Sequence, residues 1–84
     1  MLTKRDRIAA YKQIEELRRR RAANVRTLRD RAQGWTELAQ LAGTSVQLLV
    51  NIAGPNPTRT IGEHLARKLE LSLCLPSGWL DQKH

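Results

Sequence analysis

Apolar residues recur at every third or fourth position along the first third of the chain, which is the period of an α-helix. The members of this stripe are Ile8, Tyr11, Ile14, Leu17, Val25, Leu28 and Ala32. Neither glycine nor proline interrupts residues 4–33, and Thr3 with Asp6 forms an acidic variant of the capping box. The pattern predicts either one helix of about 29 residues and ~43 Å, or two helices with a break near residues 20–23, where Arg21 interrupts the stripe.

Two short amphipathic segments separated by a glycine occupy residues 35–53. Their apolar positions are Leu38, Ala39 and Ala42 in the first segment and Leu48, Leu49 and Ile52 in the second. Gly43 stands where a helix end favours a left-handed residue, and Thr44 or Ser45 can cap the next helix by accepting a backbone N–H. A helix-turn-helix has this layout, and its second helix enters the major groove of DNA. An ordinary helical hairpin in a small core is the alternative.

The remaining third is predicted to contain a loop, one more helix and a short final turn. Residues 54–57, Gly-Pro-Asn-Pro, cannot stay helical and are expected to form a rigid loop. Thr60 and Glu63 have the spacing of a capping box, so we expect a helix from there to about Ser72. Residues 77–81 are expected to form a last short helix, in which Trp79 and Leu80 close the core. Trp35 is also expected to be a core residue.

Composition limits the chain to one small domain. It has 84 residues, and a chain of this size buries roughly 60–65% of its unfolded surface, so dimerisation would stabilise it. The net charge is +7, and all of the excess lies in residues 1–33, which hold 11 Lys or Arg against 4 Asp or Glu. A basic end of this kind indicates a polyanionic partner, either nucleic acid or an anionic membrane.

Cysteine content and hydropathy indicate where the protein acts. Cys74 is the single cysteine, so no internal disulfide forms, and we expect it to be a buried apolar residue in the cytoplasm. No apolar run approaches the ~20 residues of a membrane span, and the N-terminus lacks the apolar block of a signal peptide.

The second helix of the motif is the candidate for base contacts. Its outward positions are Ser45, Val46, Gln47, Val50 and Asn51. Glutamine and asparagine can form paired hydrogen bonds with adenine, and an aliphatic side chain can contact the thymine methyl. We therefore predict a preference for A·T pairs with no Arg–guanine contact from this helix. In the alternative interpretation, Val46 and Val50 face a protein, such as a dimer partner.

Polar residues around the motif are candidates for phosphate contacts. The first is Thr36, expected to cap the first helix of the motif, and the others are loop residues Asn56, Thr58, Arg59 and Thr60. A possible basic patch consists of Arg18, Arg19, Arg20 and Arg21, whose planar guanidinium groups suit phosphate oxygens. This run has a second interpretation as a solvated face partly neutralised by Glu15 and Glu16.

The sequence lacks the arrangements of residues that are typical of enzyme active sites. There is no pair of carboxylates in a cleft pattern, no metal-ligand spacing, no Ser/His/Asp set and no glycine-rich phosphate loop. His64 has no second histidine or cysteine near enough to form a metal site, and we expect it at the surface. We therefore expect no catalytic residue, metal, cofactor or small-molecule ligand.

Two stretches agree in register with a known family. Residues 35–53 resemble the helix-turn-helix of the phage Cro and repressor type, often called the Xre family. Residues 54–81, GPNPTRTIGEHLARKLELSLCLPSGWLD, are similar to the tail of many phage repressor DNA-binding domains, which runs from an N-P-T-like loop to a final L-P-x-G-W-L-D. The resemblance implies an all-α, five-helix lambda-repressor-like domain at residues 22–84. Residues 1–21 lie outside it as a basic helical N-terminal extension.

The resemblance also implies a function. It indicates a phage or prophage repressor that binds a palindromic operator in double-stranded DNA as a homodimer, in the cytoplasm of a bacterial host. The apolar side chains of the extension are candidates for the dimer contact: Ile8, Tyr11, Ile14 and Leu17. Alternatively, its arginines lie along the DNA backbone. A second hypothesis is a protein-interaction module, such as an antitoxin or a small phage adaptor, that reuses the same fold.

Overall fold

The computed structural model, which describes residues 3–84, is all-helical. Its elements are α1 (Lys4–Ala32), α2 (Trp35–Ala42), α3 (Val46–Ala53), α4 (Glu63–Ser72) and a final 3-10 helix (Trp79–Asp81). The predicted all-α fold is confirmed, whereas the five-helix count is not matched. The described residues form four α-helices, and the last predicted helix is a 3-10 helix of three residues.

Helix α1 is continuous over 29 residues and has no break near Arg21. Its predicted capping box is present, since the Thr3 hydroxyl accepts from the Asp6 backbone N–H at 3.2 Å and Asp6 Oδ2 accepts from the Thr3 N–H at 3.1 Å. The helix ends at Ala32, and its C-cap residue Gln33 has a left-handed φ of 68°. Residues 3–16 are all exposed, so the N-terminal half of α1 projects from the rest of the molecule.

The turn between α2 and α3 matches its prediction. Gly43 has a left-handed φ of 65°, and the Ser45 hydroxyl accepts from the Leu48 backbone N–H at 3.1 Å. The expected cap of α2 is wrong, because that helix begins at Trp35 with Gly34 as its N-cap. Thr36 is therefore the second residue of the helix, and no side chain caps it.

Two expectations about the C-terminal third are also wrong. Helix α4 begins at Glu63 with Gly62 as its N-cap and no side-chain cap, so Thr60 does not form a capping box. Cys74 is exposed rather than buried. It has a left-handed φ of 58° in the turn that follows α4, and this backbone conformation turns its side chain away from the core.

The core lies where α1, α2, α3, α4 and the 3-10 helix meet. Its buried apolar side chains are Val25, Leu38, Ala39, Ala42, Leu49, Ile52, Ala53, Ile61, Ala66, Leu69 and Leu80. Trp35 and Trp79 pack against this cluster while staying half-buried, as expected of core-lining aromatics. No helix in residues 3–84 has the length and apolar character needed to span a membrane.

Candidate nucleic-acid interface

Helix α3 has one buried side and one open side. Leu49 and Ile52 are each 1% exposed and anchor the helix in the core. Ser45 and Gln47 are exposed, Val46 is 38% exposed, and Val50 and Asn51 are half-buried. The five predicted base-contacting residues therefore lie on the side of α3 that faces away from the core or along its edge.

The two amide side chains of α3 are hydrogen-bonded to each other. Gln47 Nε2 donates to Asn51 Oδ1 at 2.9 Å, across one turn of the helix. This bond orients both amides and leaves the Gln47 carbonyl oxygen and the Asn51 amide hydrogens for other partners. Together they present an acceptor and a donor, which is the complement of the N6 donor and N7 acceptor of adenine.

The loop after α3 folds back on that helix. The backbone N–H groups of Thr58 and Arg59 both donate to the Asn51 carbonyl oxygen, at 2.8 and 3.0 Å. Gly54 permits this tight exit, because a Cβ there would lie 2.6 Å from the Val50 carbonyl oxygen. The loop residues Asn56, Thr58, Arg59 and Thr60 are exposed. The predicted phosphate-contacting loop is thus fixed to the end of the helix that carries the predicted base contacts.

Basic residues from two distant parts of the sequence meet beside this loop. Arg18 and Arg19 of α1 line the same shallow groove as Arg59 and Thr60, together with Pro57, Ala22 and Ile52, and most of the accessible surface of this groove is apolar. We call this the basic groove. Thr36 is exposed in the first turn of α2 and is not among the residues that line it.

The other two arginines of the predicted patch point elsewhere. Arg21 is only 4% exposed. Its Nε donates to Asp81 Oδ1 at 2.6 Å, and its Nη2 lies 2.8 Å from Glu63 Oε2. Arg20 Nη1 donates to the Asp81 carbonyl oxygen at 3.1 Å. The surface patch therefore consists of Arg18 and Arg19, whereas Arg20 and Arg21 hold the C-terminal turn to α1.

The charged groups around Arg21 shift one another's pKa values. The hydrogen bond from Arg21 lowers the pKa of Asp81 below its usual range, and a second bond from Arg67 adds to this effect. The same bond to Asp81 raises the pKa of Arg21 above its ordinary value. Both groups are charged at neutral pH, and the cluster joins α1, α4 and the 3-10 helix.

Three polar residues that sequence reasoning missed support this arrangement. Arg26 Nη1 donates to the Ala53 carbonyl oxygen at 3.4 Å, which ties α1 to the C-terminus of α3. Asn24 Nδ2 donates to the carbonyl oxygens of Leu80 and Gln82, both at 2.7 Å. The buried Glu70 carboxylate accepts from the backbone N–H groups of Gly78 and Leu80. Only Arg26 had a signal in the sequence, since it lies two helical turns after Arg19 on the same side of α1.

The described residues contain no cluster of three or more His, Cys, Asp or Glu side chains placed to hold a metal ion. His64 is exposed, as expected.

The all-helical fold, the Gly43 turn between α2 and α3 and the open side of α3 are consistent with a helix-turn-helix domain. The chain is similar to the prophage repressor CohE of Escherichia coli (strain K12), with 36% identity over 73 residues. The match covers 87% of this chain but 31% of that repressor, so the chain spans about a third of its relative's length. No family model matches the sequence, and no solved structure is detectably similar to it.

Proposed function

We propose that this protein is a sequence-specific DNA-binding regulator of the phage or prophage repressor type, in which α3 enters the major groove. The observation that carries the proposal is the hydrogen bond between the exposed Gln47 and the half-buried Asn51 on α3, the helix that follows the Gly43 turn and lies beside the basic groove. The 36% identity to a prophage repressor over most of the chain supports the same conclusion.

Base recognition in this proposal comes from the open side of α3. Gln47 and Asn51 bind adenine through the acceptor and donor that their mutual bond leaves available, and Val46 and Val50 contact thymine methyl groups. Ser45 lies at the N-terminus of α3, where its remaining hydroxyl capacity faces the groove. The site preferred by this helix is therefore rich in A·T pairs.

Backbone recognition comes from the residues on either side of α3. The loop residues Asn56, Thr58, Arg59 and Thr60 and the α1 residues Arg18 and Arg19 contact phosphates on one strand, and Thr36 contacts a phosphate at the start of α2. Such contacts position the helix without specifying sequence, and they make affinity depend on salt concentration.

Two copies of the chain bind together in this proposal, because one helix contacts only a few base pairs. Their α3 helices occupy successive major grooves about 34 Å apart on a palindromic operator, and the bound protein blocks polymerase. Residues 1–21 form an extension that supplies the dimer contact, and residues 22–84 form the DNA-binding domain. The site of action is the cytoplasm of a bacterial host, where operator DNA lies.

The experiment that tests this function combines site selection with a salt titration. Duplexes retained by the protein from a random library are recovered, and the affinity for the enriched sequence and for a scrambled duplex is measured between 50 and 300 mM KCl. A repressor binds the enriched sequence at least about a thousandfold more tightly than the scrambled one, with a steep salt dependence for both. An adaptor that reuses the fold binds both sequences equally and weakly, and this result would overturn the proposal.

A further inference from the structure

The open side of α3 presents its side chains in a defined order around the helix. At about 100° per residue, Gln47 lies roughly 160° from the buried Leu49, so it points away from the core. Asn51 lies about 40° from Gln47 on one side, and Val50 lies about 60° from it on the other. The order around the helix is therefore Asn51, Gln47, Val50.

The hydrogen bond between the two amides decides which end of Gln47 is left for a ligand. A glutamine side chain without a partner can turn either its carbonyl oxygen or its amide nitrogen toward a base. Gln47 Nε2 donates to Asn51 Oδ1 at 2.9 Å. The Gln47 carbonyl oxygen Oε1 is thus the end left free, and it accepts a hydrogen bond.

Asn51 is the fixed member of this pair. Its side chain is half-buried, whereas that of Gln47 is exposed. Its backbone carbonyl oxygen accepts from the N–H groups of Thr58 and Arg59, at 2.8 and 3.0 Å. Since Asn51 Oδ1 already accepts from Gln47, its amide hydrogens are the groups left to donate. The open side of α3 therefore presents a donor, an acceptor and the methyl groups of Val50, in that order.

This order is the complement of one A·T pair. Across the major groove such a pair presents the adenine N7 acceptor, the adenine N6 donor, the thymine O4 acceptor and the thymine methyl group. Asn51 then donates to N7, Gln47 accepts from N6, and Val50 contacts the methyl group. A G·C pair presents guanine O6 where adenine has N6, which would set two acceptors against each other at Gln47.

We propose that α3 recognises one adenine of each half-site through the outward hydrogen on N6, so that methylation of this nitrogen prevents binding. This inference rests on the proposed function, because it concerns the operator that α3 contacts. In a paired adenine one N6 hydrogen bonds to thymine O4 and the other points into the major groove. A methyl group that preserves the pairing replaces the second hydrogen. The Gln47 oxygen then loses its donor and is buried against an apolar group, which is unfavourable. The site is therefore regulated by the methylation state of the DNA.

Chemically modified duplexes test this contact with the wild-type chain. The duplex enriched from a random library is synthesised with N6-methyladenine in place of one adenine at a time, and its affinity is measured at constant salt concentration. At one adenine in each half-site we expect the methyl group to weaken binding at least about tenfold. N6-Methyladenine in the sequence that flanks the site is the DNA control, and it should leave affinity unchanged.

A matched pair of protein variants assigns the effect to one side chain. Gln47→Ala lacks the acceptor, so its affinities for the methylated and unmethylated duplexes should agree within about twofold. Gln40→Ala removes an exposed amide from α2 instead and should keep the sensitivity of the wild type. Equal losses on methylation for the wild type and Gln47→Ala would show that the methyl group acts on the DNA itself and would overturn the inference.

The thymine of the same pair gives a second readout. Uracil in its place lacks the methyl group, so the wild type should bind about fourfold more weakly. Val50→Ala should bind the thymine and uracil duplexes with similar affinity. Uracil that weakens neither protein would contradict the predicted order of Asn51, Gln47 and Val50 across the pair.

The outcomes separate this inference from the proposed function. Failure of the wild type to enrich any duplex would refute the repressor function itself. An enriched site that tolerates N6-methyladenine at every position, or that contains no adenine in its half-sites, would refute the methylation-sensitive contact and leave the repressor function intact.

Discussion

Arg21 Nε donates to Asp81 Oδ1 at 2.6 Å and so joins α1 to the 3-10 helix sixty residues later in the chain. Glu63 accepts a second bond from the same guanidinium at 2.8 Å, and Arg67 lies 2.9 Å from the other oxygen of Asp81. These bonds fix the base of the projecting half of α1 to the core. The orientation of α1 relative to α3, on which the basic groove depends, is stabilised by this cluster.

Replacing Arg21 is expected to cost much more stability than replacing an arginine nearby. Arg21→Ala leaves Asp81 with Arg67 as its remaining cationic partner and removes the guanidinium donor of the buried Ile61 carbonyl oxygen, so we expect the free energy of unfolding to fall by about 3 kcal/mol. Arg19→Ala is the control, because within residues 3–84 Arg19 forms one ion pair, an exposed one with Glu15 at 3.8 Å, and such pairs contribute about 0.5 kcal/mol or less. Urea unfolding measures both values. Equal losses would show that the cluster does not stabilise the fold.

The low pKa of Asp81 predicts a specific loss of stability in acid. Its folded-state pKa is depressed, chiefly by the Arg21 hydrogen bond, whereas an unfolded aspartate titrates near ~3.9. The unfolded chain therefore binds the proton more readily, so this contribution is fully present above about pH 4–5 and is lost as pH falls through the lower folded-state value.

Thermal unfolding between pH 2 and 6 measures this effect. Asp81→Asn should lower the melting temperature at pH 6 and flatten its decline below pH 4. Asp30→Asn is the control, because Asp30 is exposed and its ion pair in the described part of the chain is with the adjacent Arg29. If both variants follow the wild-type acid profile, Asp81 does not contribute as proposed.

The basic groove predicts an electrostatic effect that does not depend on base sequence. Arg59→Gln removes one phosphate contact, so affinity should fall by a similar factor for the selected duplex and for a scrambled one. The slope of log K against log salt should become shallower by about one. Lys83→Gln removes an equal charge from a residue outside the groove and should leave both slope and affinity unchanged. Identical slopes for the two variants would exclude Arg59 from the interface.

The parts of the fold that could be predicted depend on residues close in sequence. The Thr3 cap, the Gly43 turn and the Ser45 cap each follow from a side chain and a backbone group within a few positions. The capping box at Thr60 had the same local spacing but failed. Ile61 is drawn into the core, and its carbonyl oxygen binds Arg21 at 3.0 Å, so α4 starts only at Glu63.

The division of the arginine run could not be predicted from its sequence. Arg18 to Arg21 are identical residues in a row, and only their direction around α1 separates them. Arg18 and Arg19 reach the groove beside Arg59, whereas Arg21 points to a partner sixty residues away. Cys74 was misplaced for a similar reason, since its apolar neighbours indicated burial but the left-handed turn after α4 exposes it.

The most direct test of DNA recognition by α3 is site selection from random duplex DNA with the wild-type chain and with Gln47→Ala and Asn51→Ala. Gln40→Ala, which removes an exposed amide from α2, is the matched control. We predict that wild type and control enrich one palindrome with A·T-rich half-sites. Each α3 variant should lose base preference at specific positions, which corresponds to about 1–3 kcal/mol for each paired contact. An identical palindrome from all four proteins, or none from the wild type, would contradict recognition by α3.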